Sequence, residues 1–67
     1  MQIHLNDHTT DIASGTSAGA FIELQLGGRP QGVALAINDE VLPRARWDAY
    51  QLQPDDRVLI VQAVQGG

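Results

Sequence analysis

Apolar and polar residues alternate from Met1 to Asn6, with Ile3 and Leu5 on one side and Gln2, His4 and Asn6 on the other. This is the period-two pattern of a strand with one buried face. Asn6-Asp7-His8 carries turn chemistry, because Asn and Asp tolerate left-handed backbone and bond their own main chain. The β-branched stretch from Thr9 to Ile12 then predicts a returning strand, and so a hairpin. Ser14-Gly15 breaks the pattern. Ser17 is placed to cap a helix over Ala18 to Leu26, in which Ala18, Phe21, Ile22 and Leu26 form one apolar stripe. Gly19 inside it costs about 1 kcal/mol relative to alanine, and so short a helix is marginal alone, so packing on a sheet must hold it. Gly27-Gly28 ends it.

The run Val33 to Ile37 is almost wholly apolar and predicts a strand covered on much of both faces. A turn at Asn38-Asp39 leads into Val41-Leu42, which Pro43 closes for want of an amide donor. Arg44 to Tyr50 reads as a short irregular or helical connection anchored by Trp47, and Pro54-Asp55-Asp56 as a turn. The last strand, Arg57 to Val64, turns Val58, Ile60 and Val64 one way and Leu59, Val61 and Ala63 the other. The order implies an α+β fold, a mixed sheet of four or five strands with one main helix on one face. The expected core is Ile3, Leu5, Phe21, Ile22, Leu35, Ile37, Val58 and Ile60. The expected domain is 1–64, with 65–67 a tail. If the helix covers one face only, Leu59, Val61 and Ala63, with Ala34 and Ala36, leave an apolar patch on the other, which suggests a docking surface.

Composition narrows the function. At 67 residues the chain is one domain with a thin core, too small to enclose a catalytic cleft readily, which favours a binder or carrier over an enzyme. Four arginines face eight carboxylates, for a net charge of −4, which disfavours nucleic acid and an anionic membrane as partners. With no cysteine, no membrane-length apolar run and no signal-like start, the cytoplasm is the expected location. His4 and His8, with Asp7 and Asp11, are the one cluster of metal-ligand types, but in a strand and turn that spacing does not put both imidazoles on one edge. No metal site is expected. Asp55-Asp56 reads as a turn, and Asp39, Glu40 and Asp48 as solvated acids. Arg44 and Arg46 beside Trp47 could grip a partner's carboxylate, although exposed arginines stacked near an aromatic are commonplace. The terminal Gly66-Gly67 has no Cβ to obstruct a narrow channel. The three residues after Val64 reach about 10 Å when extended, enough to carry a terminal carboxylate into another protein's active site.

Several segments together resemble one family. Ala34-Leu35-Ala36-Ile37-Asn38, Glu40-Val41-Leu42-Pro43-Arg44, Trp47, Asp56-Arg57-Val58 and Val64-Gln65-Gly66-Gly67 look like the bacterial ThiS family, the sulfur carriers of thiamin biosynthesis. The resemblance runs the whole length. It implies a ubiquitin-like β-grasp fold and a carrier that binds no cofactor of its own. It further implies that a ThiF-like adenylyltransferase uses ATP and Mg²⁺ to turn the Gly67 carboxylate into an acyl-adenylate. A persulfide from a donor such as a cysteine desulfurase then displaces AMP, and the resulting thiocarboxylate supplies sulfur to the thiazole synthase ThiG. By position, Gln65, Gly66 and Gly67 enter the partner's active site and Leu59, Val61 and Ala63 form the docking face. Asp7 and Asp55 depart from the family, standing where it often has glycine, as does Gly19 in a helix usually polar there. Competing readings are a sister carrier of the molybdopterin-synthase small-subunit type, a ubiquitin-like modifier conjugated through Gly67, and a non-covalent adaptor whose tail is idle.

Overall fold

A computed structural model describes residues 1–62. Five strands, β1 (Gln2–Leu5), β2 (His8–Asp11), β3 (Val33–Ile37), β4 (Glu40–Val41) and β5 (Arg57–Gln62), form one sheet in the order β2-β1-β5-β3-β4. One helix, α1 (Ala18–Leu26), and a single 3-10 turn at Arg44–Arg46 complete the elements. The sheet is mixed: β1 runs parallel to β5, while the β1–β2, β3–β4 and β3–β5 pairs are antiparallel. Helix bounds and caps are those the sequence predicts, Ser17 Oγ accepting the Ala20 N–H and Gly27 ending the helix left-handed at φ 73°. Asn38 and Asp39 both have left-handed backbone, as a two-residue hairpin turn of matching twist requires. That tight turn sets Glu40 opposite Ile37, so β4 starts one residue before the expected Val41.

One face of the sheet carries the core. Ile3, Leu5, Leu35, Ile37 and Val58 pack with Ala18, Phe21 and Ile22 of the helix, and with Trp47 and Leu52 from the connection before β5. Seven of the eight expected core residues are buried, and Ile60 is only half-buried at its edge. The expectation that β3 is covered on both faces is corrected: Leu35 and Ile37 are buried, but Ala34 is exposed and Ala36 half-buried. A run of alanine between larger residues reads as uniformly apolar, yet only the large side chains face the helix.

The connection from Pro43 to Leu52 closes the end of the helix. Trp47 is buried, its indole N–H donating to Leu42 O at 3.0 Å. The Ala18 and Gly19 amides, which no helical carbonyl can serve, donate to Tyr50 O (2.9 Å) and Trp47 O (3.0 Å). Gly19 has its reason here. Arg29 reaches across the helix to Asp48 with two hydrogen bonds, and a Cβ on Gly19 would stand 2.5 Å from Asp48 Oδ1 and 2.7 Å from Arg29 Nη2. The Asp48 carboxyl is held below its usual range, chiefly by that Arg29 bond. The intrinsic cost of glycine in a helix is thus offset by room for an ion pair that fastens the loop after α1 to the connection.

Candidate functional site

The face opposite the helix is uncovered among the described residues, and apolar side chains cross it in register. Val41 on β4 stands beside Ala36 on β3, which stands beside Leu59 on β5, and Ala34 pairs with Val61 one step nearer the end of β5. Val41 is 74 % exposed and Leu59 and Val61 are each 48 % exposed, so this apolar row meets solvent. Leu59 and Val61 therefore lie where the sequence predicts a docking face. Ala63 and the tail residues Gln65, Gly66 and Gly67 lie outside the described residues. Val41 was missed because it neighbours Leu59 only through β3, a relation invisible along the chain.

At the start of β5 the same face dips into a recess of about 420 Å³, lined by His4, His8, Thr9, Asp39, Arg57 and Leu59 among others. Arg57 donates to Asp39 Oδ2 at 2.7 Å, an exposed pair of the kind that contributes little to stability. His4 and His8 both line this recess, although the register sets His4 opposite Thr9 and His8 opposite Leu5. Among the described residues, no three His, Cys, Asp or Glu side chains are grouped to hold a metal ion. Arg44, though exposed, is held by its own chain. It donates to Arg29 O (2.6 Å) and Pro30 O (3.1 Å), with its guanidinium 5.0 Å from the Trp47 ring centre.

The root of β5 is tied by a buried carboxylate. Asp56 is 6 % exposed and accepts from the Asn38 amide (3.0 Å), the Tyr50 hydroxyl (2.8 Å) and the Gln53 N–H (2.9 Å). Burial alone would raise its pKa, but these three donors outweigh burial and hold it below the ordinary carboxylate value. Burial, and then the hydrogen bond to the Asp56 carboxylate and its charge, push the Tyr50 hydroxyl up to about 12. Asn38 also accepts the Arg57 N–H through its side-chain oxygen (2.9 Å), so one cluster joins the β3–β4 turn, the connection and the first residue of β5. The turn expected at Asp55-Asp56 is present, with Asp55 left-handed at φ 66°, a conformation in which glycine would be unstrained. The hub role of Asp56 was not legible because Asn38, 18 residues away, reaches it only through the fold, while Tyr50 and Gln53, six and three residues away, fit no recognised motif.

Comparison with known proteins completes the picture. Residues 3–67 match the ThiS family. A protein of Escherichia coli (strain K12) named sulfur carrier protein ThiS is 39 % identical over 67 residues, which span all of both chains. A thiazole synthase of Magnetococcus marinus is 34 % identical over 67 residues, all of this chain but 20 % of that one. Among solved structures, the crystal structure of a thiamine biosynthesis protein (ThiS) from Geobacter metallireducens has a TM-score of 0.84 at 22 % identity, covering all of both chains. That likeness establishes the ubiquitin-like β-grasp fold.

Proposed function

Because the chain belongs to the ThiS family, we propose that it is a sulfur carrier for the thiazole moiety of thiamin, with Gly67 as the residue that bears the sulfur. The observation that carries this reading is the match to a carrier over the full length of both proteins. Its chemistry follows from the carboxylate. An ionised carboxylate is a poor acyl donor, so a ThiF-like adenylyltransferase joins it to AMP using ATP and Mg²⁺, releasing pyrophosphate. A persulfide sulfur, supplied by a donor such as a cysteine desulfurase, then attacks the carbonyl carbon and AMP leaves. Reductive cleavage of the S–S bond, by a thiol of the loading system, leaves the thiocarboxylate. The carrier contributes reach and fit, and the partner supplies the metal and the positive field. A thiazole synthase receives the sulfur. In support, the Magnetococcus marinus thiazole synthase includes a stretch similar to this entire chain.

The test is mass spectrometry of the intact chain after incubation with ATP, the adenylyltransferase and a persulfide donor. Exchange of oxygen for sulfur adds about 16 Da, as does oxidation of Met1 to its sulfoxide, so a thiol-alkylating reagent must follow. Since the chain has no cysteine, an ATP-dependent adduct on the C-terminal fragment identifies the thiocarboxylate. Absence of the adduct, with the adenylyltransferase shown to load another carrier, would leave a modifier or an adaptor.

Docking is assigned to the apolar row of Leu59 and Val61, joined by Val41, Ala36 and Ala34; Ala63, which the sequence reading adds to it, lies outside the described residues. Val61→Asp places a charge on this surface beside Ala34, and affinity for the adenylyltransferase is expected to fall tenfold or more. Because Val61 is half-exposed on the uncovered face, stability should fall by only about 1 kcal/mol, the scale of a strand-propensity change. Calorimetric binding and a thermal melt on the same sample check both. Comparable losses in folding and binding would place Val61 in the core instead.

A further inference from the structure

The strand that leads to the tail has an unpaired edge. β5 pairs with β3 as far as Gln62, opposite Val33, but with β1 only at Arg57 and Val58. Asn6 is the reason. Its backbone turns left-handed (φ 50°) into the β1–β2 hairpin, its N–H donates to Val58 O (2.9 Å), and its side-chain oxygen accepts the Ile60 N–H (3.0 Å). A side chain thus ends the ladder where a continuing strand would have supplied a carbonyl. Along a strand, N–H and C=O groups of alternate residues point to the same side, so Ile60 and Gln62 face the way Val58 faces. Past the Asn6 cap, Ile60 C=O and both main-chain groups of Gln62 meet no strand among the described residues. Beside them lies a groove of about 270 Å³ between the end of β1 and the C-terminal half of α1, lined by Leu5, Asn6, Gln25, Leu26, Ile60 and Gln62. Leu26 and Ile60, both half-buried against the core, give it an apolar wall.

We propose that this edge, Ile60 to Gln62, takes up an extended segment of the thiazole synthase by strand addition, an inference that rests on the carrier function proposed above. An array of one donor and two acceptors at strand spacing is matched by peptide groups, and the groove beside it, apolar along its Leu26 and Ile60 wall, takes alternate side chains of the added strand. Residues 63–67 follow Gln62 directly, so any protein that engages Gly67, the adenylyltransferase or the synthase, comes near this end of β5. The Magnetococcus marinus thiazole synthase, with the equivalent of this chain in its own sequence, argues that synthase and carrier work in contact. Main-chain pairing here would fix the direction in which the tail leaves the sheet and leave the apolar row on the open face free.

Gln62→Pro tests it. Proline at this position removes the outward N–H and leaves the bonds to β3 intact, the setting in which an edge tolerates proline. Gln62→Ala keeps the N–H and removes only the side chain. The proline variant should bind the thiazole synthase at least tenfold more weakly and the alanine variant within twofold of the parent, with similar melting temperatures. In the parent complex, residue-resolved hydrogen exchange should show the Gln62 amide slowed at least tenfold, a readout independent of any substitution. Equal affinity of the proline variant and the parent, an equal loss in the alanine variant, or an unslowed Gln62 amide would overturn the edge. A parent chain that cannot be loaded with sulfur would overturn the carrier function itself, a failure the loading assay shows separately.

Discussion

Deleting Gly66 and Gly67 is expected to abolish ATP-dependent sulfur loading, by on the order of a hundredfold or more, while the melting temperature stays within a few degrees of the parent. Two residues of extended chain span about 7 Å, and displacement of a reacting atom by even 1 Å can cost about a hundredfold in rate. A carboxylate withdrawn this far cannot meet the adenylyltransferase's nucleotide. One residue added after Gly67 should impair loading for the converse reason, because it pushes the reacting carbon past that point by about 3.5 Å. Gly67→Ala tests steric fit at unchanged reach: a Cβ in a channel shaped for glycine should slow loading without blocking docking. Stability should hardly respond, since among the described residues no core residue lies beyond Ile60. The alkylation assay measures loading and a thermal melt measures folding. Loading that survived removal of both glycines would refute the terminal mechanism.

Most of the scaffold was legible because its signals are local. Alternation marked β1, the spacing of Ala18, Phe21, Ile22 and Leu26 marked the helix, and Asn38-Asp39 marked a turn, which the structure makes with left-handed backbone at both residues. The errors fall where one residue's environment is set by another distant in sequence. β3 reads as apolar throughout, and only the position of the helix decides that Ala34 is exposed while Leu35 is buried. Leu52 enters the core because its N–H bonds to Thr16 O (2.9 Å), a contact between the loop before the helix and the connection after β4. Gly19 looked like a local cost until Arg29 and Asp48 were seen to meet above it. The exposed apolar row opposite the helix was half legible for the same reason. Leu59 and Val61 share a strand and could be paired by counting, whereas Val41 joins them through the register of two further strand pairs.

Asp56→Ala is expected to destabilise the fold by about 3 kcal/mol, from the loss of hydrogen bonds to a charged acceptor and the stranding of their donors. Without the carboxylate, the Tyr50 hydroxyl, the Asn38 amide and the Gln53 N–H lose an acceptor in a site from which water is largely excluded. A domain of this size is stable by only about 3–10 kcal/mol, so the loss should be plain in a urea titration. The same cluster sets the pH limits of stability. Asp56 binds its proton more weakly folded than unfolded, so its contribution is complete above the ordinary carboxylate value near 3.8 and is lost as pH falls through its lower folded value. Tyr50 acts in the opposite direction. Its folded pKa of about 12 lies above the ordinary 10.0, so its contribution is complete below pH 10.0 and is lost between there and about 12. Tyr50→Phe should therefore flatten the alkaline limb and keep an acid limb, because Asp56 retains the Asn38 and Gln53 donors. Asp56→Ala should weaken both limbs at once, since it removes the acid group and the charge that disfavours the phenolate. An acid limb unchanged in Asp56→Ala would show that another carboxylate governs acid unfolding. An alkaline limb unchanged in Tyr50→Phe would mean that the phenol does not set the upper limit.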